Sequence, residues 1–541
     1  MISTKRIFTI ISLVGLLNAC TSQTTPSSQA VANAGNCPTE SVPLPVTIST
    51  PPKEGDNYYN PFDYHIRNIV ADANTVNFQT YKYDFVFCRG NNIWTVKPGT
   101  LPTELQPSQN GAAYYKDLDN PPYKKIDFNG KTYQYRVILE PNPFPIDQQR
   151  PEPQKVIFEL IIPDTQQPQR QTLYTLNELT EGKFGATLGL PRITAAINYD
   201  NRLFFSVASE QGEGANGIAT IVGYDPQKNE SIIIKPKEIR TQQITDLVIT
   251  GDSANPTFWM GTQISGEGNG YLPGMGLVAY RPNPQNLDSG SVKSYNVNNS
   301  PLVGIIPDKL KVENDTLWVG TGNGICQVKW QAADDPKSWS CNRFALFTKL
   351  PTEGIPLYNT SMSKNPAATL SPATSGETVE VLWFSPVDFQ TYKGRYEVRY
   401  SDGFTVTLDE RGAETLPQDI AKIREEIEPG KPSFYWPGSE WHWNGARFVR
   451  GFDEVGLNLV GGGPRGIGSD KLEPNGIPSS NAMRGDFDLL NLTGKSTSVR
   501  YYSGWVDADK INVSLTVVPQ ELPENPQPNP LNSLANQFQS Q

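Results

Sequence analysis

The sequence predicts an all-β protein: a β-propeller of seven or eight blades with one short inserted helix. Three observations lead there. An aromatic-bearing strand motif recurs about every sixty residues. Glycine and proline, 45 and 46 of 541 residues, punctuate the chain often enough for many short strands joined by turns. Apolar residues alternate with period two, as at Tyr81, Tyr83, Phe85 and Phe87 and again at Ile511, Val513, Leu515 and Val517, which marks half-buried strands.

The repeat is clearest in Asn314-Asp315-Thr316-Leu317-Trp318-Val319-Gly320-Thr321. It reads as a polar turn, then a strand bearing an aromatic, then a small residue. A second copy is Asn255-Pro256-Thr257-Phe258-Trp259-Met260-Gly261-Thr262. Weaker copies centre on Phe204 and Trp383, and Asn91-Asn92-Ile93-Trp94-Thr95 begins in the same way. A glycine follows three of the copies and leads to a second aromatic: Gly217 to Tyr224, Gly276 to Tyr280, and Gly324 to Trp330. Each unit therefore reads as strand, glycine loop, strand.

Phe204, Trp259, Trp318 and Trp383 are separated by 55, 59 and 65 positions, and Trp443 and Trp505 continue the rhythm. Phe158 and Trp94 are the expected markers upstream. Periods of this kind belong to propellers and solenoids, and blades longer than the usual forty or so residues imply long loops. Residues 57–518, divided by the period, give seven or eight blades, within the usual range. A closed ring also hides the strand edges that would otherwise pair with other chains.

The segment Leu317-Trp318-Val319-Gly320-Thr321 with Asn323-Gly324-Ile325 resembles the repeat of two-component-regulator propellers, which occur in sensor ectodomains and in stand-alone exported proteins. The resemblance is good for one blade and fair for the next upstream. It implies fold more than function, because propellers host many activities. No kinase or response-regulator text follows. One stretch departs from the β pattern: residues 417–428 carry Ile420, Ile423 and Ile427 at helical spacing, with Gly430 as a stop, and predict the inserted helix.

The chain opens on an address. Lys5 and Arg6 precede an uncharged apolar run over 7–17, too short to cross a bilayer. Leu17-Asn18-Ala19-Cys20 resembles a bacterial lipobox, with Asn18 in place of the usual small residue. The resemblance implies that residues 1–19 are removed and that Cys20 carries the lipid, so the partner at this end is a membrane. Thr21 stands where an Asp would imply retention in the inner membrane, so the outer membrane is favoured. Residues 20–56 read as a flexible tether and 519–541 as a disordered tail rich in Pro, Asn and Gln.

Four further cysteines, Cys37, Cys88, Cys326 and Cys341, suit disulfides in an exported chain, with three pairings open. Cys326 with Cys341 would close a short loop, and Cys37 with Cys88 would pin the N-terminal segment to the body. With no Cys-x-x-Cys spacing and two histidines, His65 and His442, a zinc site has little basis.

A net charge of −10 argues against nucleic acid as a partner. Residues 461–466 contain a Gly-x-Gly-x-x-Gly spacing, but Pro474, Gly476 and Pro478 follow it in place of a phosphate-binding helix, so it reads as a loop. Two glycine-rich loops, 212–217 and 265–270, occupy equivalent places in neighbouring units. Glu213, Asn216, Glu267 and Asn269 would then share one rim, where their oxygens could hold Ca²⁺ or sugar hydroxyls. The competing reading gives the Gly and Asn a turn role and leaves the Glu solvated. The expected function is an anchored, non-enzymatic propeller that binds an envelope protein, a cell-wall component or a glycan through one face. The alternative is an enzyme acting on sugars or lactones, and a third reading is an assembly factor for an envelope complex.

Overall fold

The computed structural model describes residues 37–46, 64–106, 121–142, 152–181 except 164 and 166, 187–211, 218–266, 269–357 except 298, 365–372 except 367, and 376–385. Beyond these it describes the strands within 395–399, 405–409, 441–443, 448–450, 482–488 and 501–507, and residues 511–520.

The chain is all-β. After a short strand β1 (Leu44–Val46), four four-stranded antiparallel sheets follow one another, and a fifth meander opens a nine-stranded sheet. Sheet 1 comprises β2 (Asn68–Ala71), β3 (Thr75–Gln79), β4 (Tyr83–Cys88) and β5 (Ile93–Pro98). Sheet 2 comprises β6 (Lys124–Phe128), β7 (Lys131–Glu140), β8 (Lys155–Ile161) and β9 (Gln169–Thr175), and ends in a one-turn helix, Leu176–Thr180, capped by Thr175. Sheet 3 is β10 (Leu188–Tyr199), β11 (Arg202–Gln211), β12 (Thr220–Asp225) and β13 (Glu230–Ile234). Sheet 4 is β14 (Gln243–Thr250), β15 (Thr257–Gly266), β16 (Asn269–Asn283) and β17 (Asn286–Tyr295). Sheet 5 is β18 (Pro307–Glu313), β19 (Thr316–Thr321), β20 (Gly324–Lys329) and β21 (Trp339–Lys349).

The polar turn of the repeat joins the first strand of a sheet to its second. In sheet 5 Glu313 pairs with Thr316 across a two-residue turn, and in sheet 3 Tyr199 pairs with Arg202. Such hairpins need positive φ in the turn, which Asn and Asp tolerate. Asn314 has φ of 53°, Asp200 47° and Asn201 57°.

The aromatic that follows has one structural role in three sheets. Phe204, Trp259 and Trp318 each stand two residues into the second strand and pair with Ile197, Val248 and Lys311 of the first. Each joins the apolar layer between its own sheet and the next, Phe204 with Phe258, Trp259 with Leu317, and Trp318 with Phe78. Two residues further on comes the small residue. A Cβ on Gly320 would lie 2.8 Å from the side chain of Ile66, and one on Gly261 would strike the Pro307 carbonyl and the Thr245 hydroxyl. Glycine thus lets the entering strand of the next sheet pass close to the second strand of its neighbour. In sheet 3 this position is Ser206, which is buried and shares a 2.7 Å hydrogen bond with Thr194. The next residue in sheets 4 and 5 is a buried threonine that closes the following connection. Thr262 donates to Gly276 O at 2.7 Å and Thr321 to Gly324 O at 2.9 Å.

The two upstream markers are out of phase. Trp94 lies in the fourth strand of sheet 1 and Phe158 in the third strand of sheet 2. The equivalent second strands carry Phe78 and the Tyr133–Tyr135 pair, behind turns without the Leu-Trp signature.

Four apolar layers place the sheets in sequence. Sheet 2 packs on sheet 3 through Phe158 and Phe205, 5.0 Å between centroids, and sheet 3 on sheet 4 through Phe204 and Phe258, 5.7 Å apart. Sheet 4 packs on sheet 5 through Trp259 and Leu317. Sheet 5 then packs back on sheet 1, where Phe85 stacks on Phe344 at 3.9 Å and Phe78 meets Trp318 at 5.6 Å. Among the described residues this propeller-like succession holds four four-stranded sheets and, in sheet 5, a four-stranded meander that continues into a nine-stranded sheet. Beyond β21 the described residues form two-stranded pairs and strands added to the edge of sheet 5, and the expected count of seven or eight blades rests also on residues outside those described.

The chain ends are stitched into the same junction. The strand Val513–Pro519 pairs with β21 on one side and with β1 on the other, and Val42 bridges to Thr95 of β5. The segment expected as tether is therefore corrected over 44–46, which forms paired strand because the Val513–Pro519 edge offers it partners. The paired C-terminal strand likewise reaches Pro519, and Gln520 N–H bonds Cys341 O at 2.9 Å.

Cys326 and Cys341 oppose each other on β20 and β21 and form a disulfide. Cys37 and Cys88 are not bridged to each other. The expected helix at 417–428, the loop at 461–466 and the lipidation site Cys20 lie outside the described residues.

Candidate functional site

The first strands of the sheets run side by side, and their opening residues meet. Lys309, near the start of β18, extends its ammonium group to within 3.3 Å of Asp246 Oδ1 on β14 and 3.3 Å of the Thr194 carbonyl on β10. One side chain therefore ties sheets 5, 4 and 3. The other oxygen of Asp246 accepts the Leu310 N–H at 2.8 Å. The Thr245 hydroxyl donates to the Pro307 carbonyl in a further link between sheets 4 and 5.

The next residue back, Asp308, faces the opposite neighbour. Its two carboxylate oxygens lie 2.8 and 2.9 Å from His65 Nδ1, in the segment that leads into sheet 1. His65 is wholly buried and Asp308 is 6% exposed. The adjacent side chains Asp308 and Lys309 thus alternate, as strand geometry requires, and fasten sheet 5 to both sides.

Burial pushes the Asp246 carboxyl above its ordinary range, and the Lys309 ammonium opposes that shift. Lys124, at the start of β6 in sheet 2, is held below the usual lysine range by burial and then by repulsion from Lys309. Four elements thus meet in one cluster where the first strands begin, the axial cluster: His65, Thr194, Asp246 and the Asp308–Lys309 pair.

This arrangement constrains the chemistry. Hydrolysis of a glycosidic bond calls for two carboxyl groups presented to the sugar. Here both axial carboxylates are 6% exposed, and each is engaged by a basic side chain of a neighbouring sheet. They act as fasteners, and the cost of burying each is offset only while its partner is in place.

The rim residues expected from the sequence fall on connections of the same kind. Residues 212–217 join β11 to β12, and 267–268 join β15 to β16, so both connect second to third strands in successive sheets. Glu213, Asn216 and Glu267 lie outside the described residues, and only the backbone of Asn269, at the start of β16, is described. Among the described residues no group of three or more His, Cys, Asp or Glu side chains could hold a metal ion. No described helix is long and apolar enough to cross a membrane.

Reading the sequence missed the axial cluster. In the sequence His65 is one of two histidines far apart in the chain. The available signal was positional: Asp246 and Asp308 both precede a repeat tryptophan by roughly one strand and one turn.

No protein-family profile and no curated protein matches the sequence. Among solved structures, an α-L-arabinofuranosidase of Fusarium graminearum is similar over 62% of this chain and 92% of its own, at 11% identity and a TM-score of 0.25. PorZ, a surface component of the type-IX secretion system of Porphyromonas gingivalis, is similar over 64% of this chain and 44% of its own, at 12% identity and a TM-score of 0.22. The extracellular domain of a putative one-component system from B. thetaiotaomicron is similar over 68% of this chain and 51% of its own, at 12% identity and a TM-score of 0.20. Overlaps this low carry no inference about activity.

Proposed function

We propose that the protein is a lipid-anchored, extracytoplasmic propeller that binds an envelope protein, a cell-wall component or a glycan without turning it over. Cys20 is the anchor in this reading, and the outer membrane is its site. The Cys326–Cys341 disulfide supports a location outside the reducing cytoplasm. The ligand lies at the end where the β11–β12 and β15–β16 connections emerge, with Glu213, Asn216, Glu267 and Asn269 as rim contacts and Ca²⁺ as a candidate bridging ion.

The observation that carries the non-enzymatic part is the state of the axial carboxylates. Asp246 and Asp308, the two acids of this cluster, are buried and paired. Neither of these two is presented to a substrate as a glycosidase acid would be.

The test presents the mature chain to an array of envelope oligosaccharides and peptidoglycan fragments, beside in-envelope crosslinking for protein partners. Product release is followed by mass spectrometry. Saturable binding or a specific crosslink with intact ligand supports the proposal. Turnover of any of these ligands overturns it in favour of the hydrolase or lyase.

A further inference from the structure

Sheets 3 and 4 form a half-open cavity of about 270 Å³ at the end of the strands remote from the openings of β10 and β14. Phe204, Phe258, Ile234 and Leu287 line it, and Asp200 and Arg202 from the β10–β11 turn edge it. Ile232, also in its wall, is 38% exposed, an unusual position for a large aliphatic side chain in this protein.

The repeat supplies a reason for the cavity. Phe204 occupies the position that Trp259 holds in sheet 4 and Trp318 in sheet 5. At the sheet 4–5 junction the Trp259 indole stacks with Tyr295 at 6.0 Å and donates its N–H to Thr250 at 2.9 Å. At the sheet 5–1 junction the Trp318 indole lies 5.6 Å from both Phe78 and Phe87 and donates its N–H to Glu313 at 2.8 Å. Sheet 3 has a single ring at this position. The residue matching Thr250 and Glu313 is Tyr199, whose hydroxyl turns to the Gly251 carbonyl at 3.1 Å. The packing that an indole completes at two junctions is left incomplete at the third.

We propose that this cavity is a binding site for a neutral aromatic ring, with indole as the best-fitting member of the class. A dry apolar cavity of roughly 150 Å³ takes up benzene, so the volume here admits a bicyclic ring. The aromatic and aliphatic floor disfavours a charged ligand, since an unpaired buried charge is expensive. Asp200 at the edge can accept the ring N–H, as Glu313 does for Trp318. The ring could arrive as a small free aromatic or as a tryptophan side chain on a partner polypeptide. The site lies at the other end of the strands from the axial cluster and does not depend on the function proposed above.

The test titrates the mature chain carrying Cys20→Ser with indole, followed by NMR and calorimetry, and then adds a tryptophan-containing peptide as competitor. Wild-type contacts predict saturable indole binding that weakens at least tenfold in Phe204→Trp, whose own ring fills the space. Ile232→Glu at the mouth weakens it similarly and serves if Phe204→Trp does not fold. Competition by the peptide assigns the polypeptide source, and indole binding without competition assigns the small molecule. No saturable binding at millimolar indole, or undiminished binding in a folded variant, overturns the proposal.

Discussion

The ammonium group of Lys309 lies 3.3 Å from a carboxylate oxygen of Asp246, joining the first strands of two successive sheets. Removing one member of a buried pair strands the other charge, which costs about 3–5 kcal/mol. Lys309→Met should therefore lower unfolding free energy by about 3 kcal/mol in urea titrations, discounted for the partial exposure of the lysine. The double variant Lys309→Met/Asp246→Leu should recover most of that loss. Equal stability of the single variant and wild type would remove the fastener role.

The glycines of the repeat should differ sharply from a glycine elsewhere. A methyl group on Gly261 meets the Pro307 carbonyl, whereas one on Gly90 meets nothing within 4 Å. Gly261→Ala should cost about 2–3 kcal/mol, in the range of overpacked cores. Gly90→Ala should change stability by less than about 0.5 kcal/mol, as surface substitutions do. Thermal unfolding of the two variants side by side checks the contrast.

The disulfide should contribute measurably. Cys326 and Cys341 are separated by 15 positions, and closing a loop of that length contributes about 3 kcal/mol in the chain-entropy treatment. The Cys326→Ala/Cys341→Ala variant should unfold at correspondingly lower urea concentration. It should also lose the sensitivity of the wild type to reductant.

Acid should weaken the junction inside sheet 2 through Glu159. Burial pushes this carboxyl up, but the Tyr123 hydroxyl and the guanidinium groups of Arg136 and Arg170 outweigh burial and hold it below the usual range. A depressed folded value means stabilisation that is present above the ordinary carboxylate range and lost as the pH falls through and below it. Glu159→Gln should be less stable than wild type at pH 7, and the gap should close as the solution is acidified. A gap that widens in acid would contradict the assignment.

Much of the fold was legible in the sequence because one short motif carries several constraints at once. The Asn-Asp turn, the tryptophan, the glycine two residues later and the threonine after it each answer a separate requirement of sheet 5, and sheet 4 repeats the last three. Sheets 1 and 2 carry Phe78 and Tyr133 in the second strand behind different turns, so the aromatics Trp94 and Phe158 do not mark their phase. The paired strand at 44–46 was hidden because its partner lies more than 460 residues away. The axial cluster was hidden for the same physical reason: His65 and Asp308 are 243 positions apart and meet only when sheet 5 packs against sheet 1. The shared placement of the glycine-rich connections, by contrast, followed from the repeat itself.

The packing of sheet 5 onto sheet 1 joins residues far apart in the chain, and His65 with Asp308 reports on it most directly. A double-mutant cycle with His65→Leu, Asp308→Leu and the combination, read by urea unfolding, measures their coupling. A coupling of at least about 1 kcal/mol is expected for a buried charge-assisted pair. Strictly additive losses would mean that the two side chains do not meet, and the packing of sheet 5 on sheet 1 would have to be abandoned.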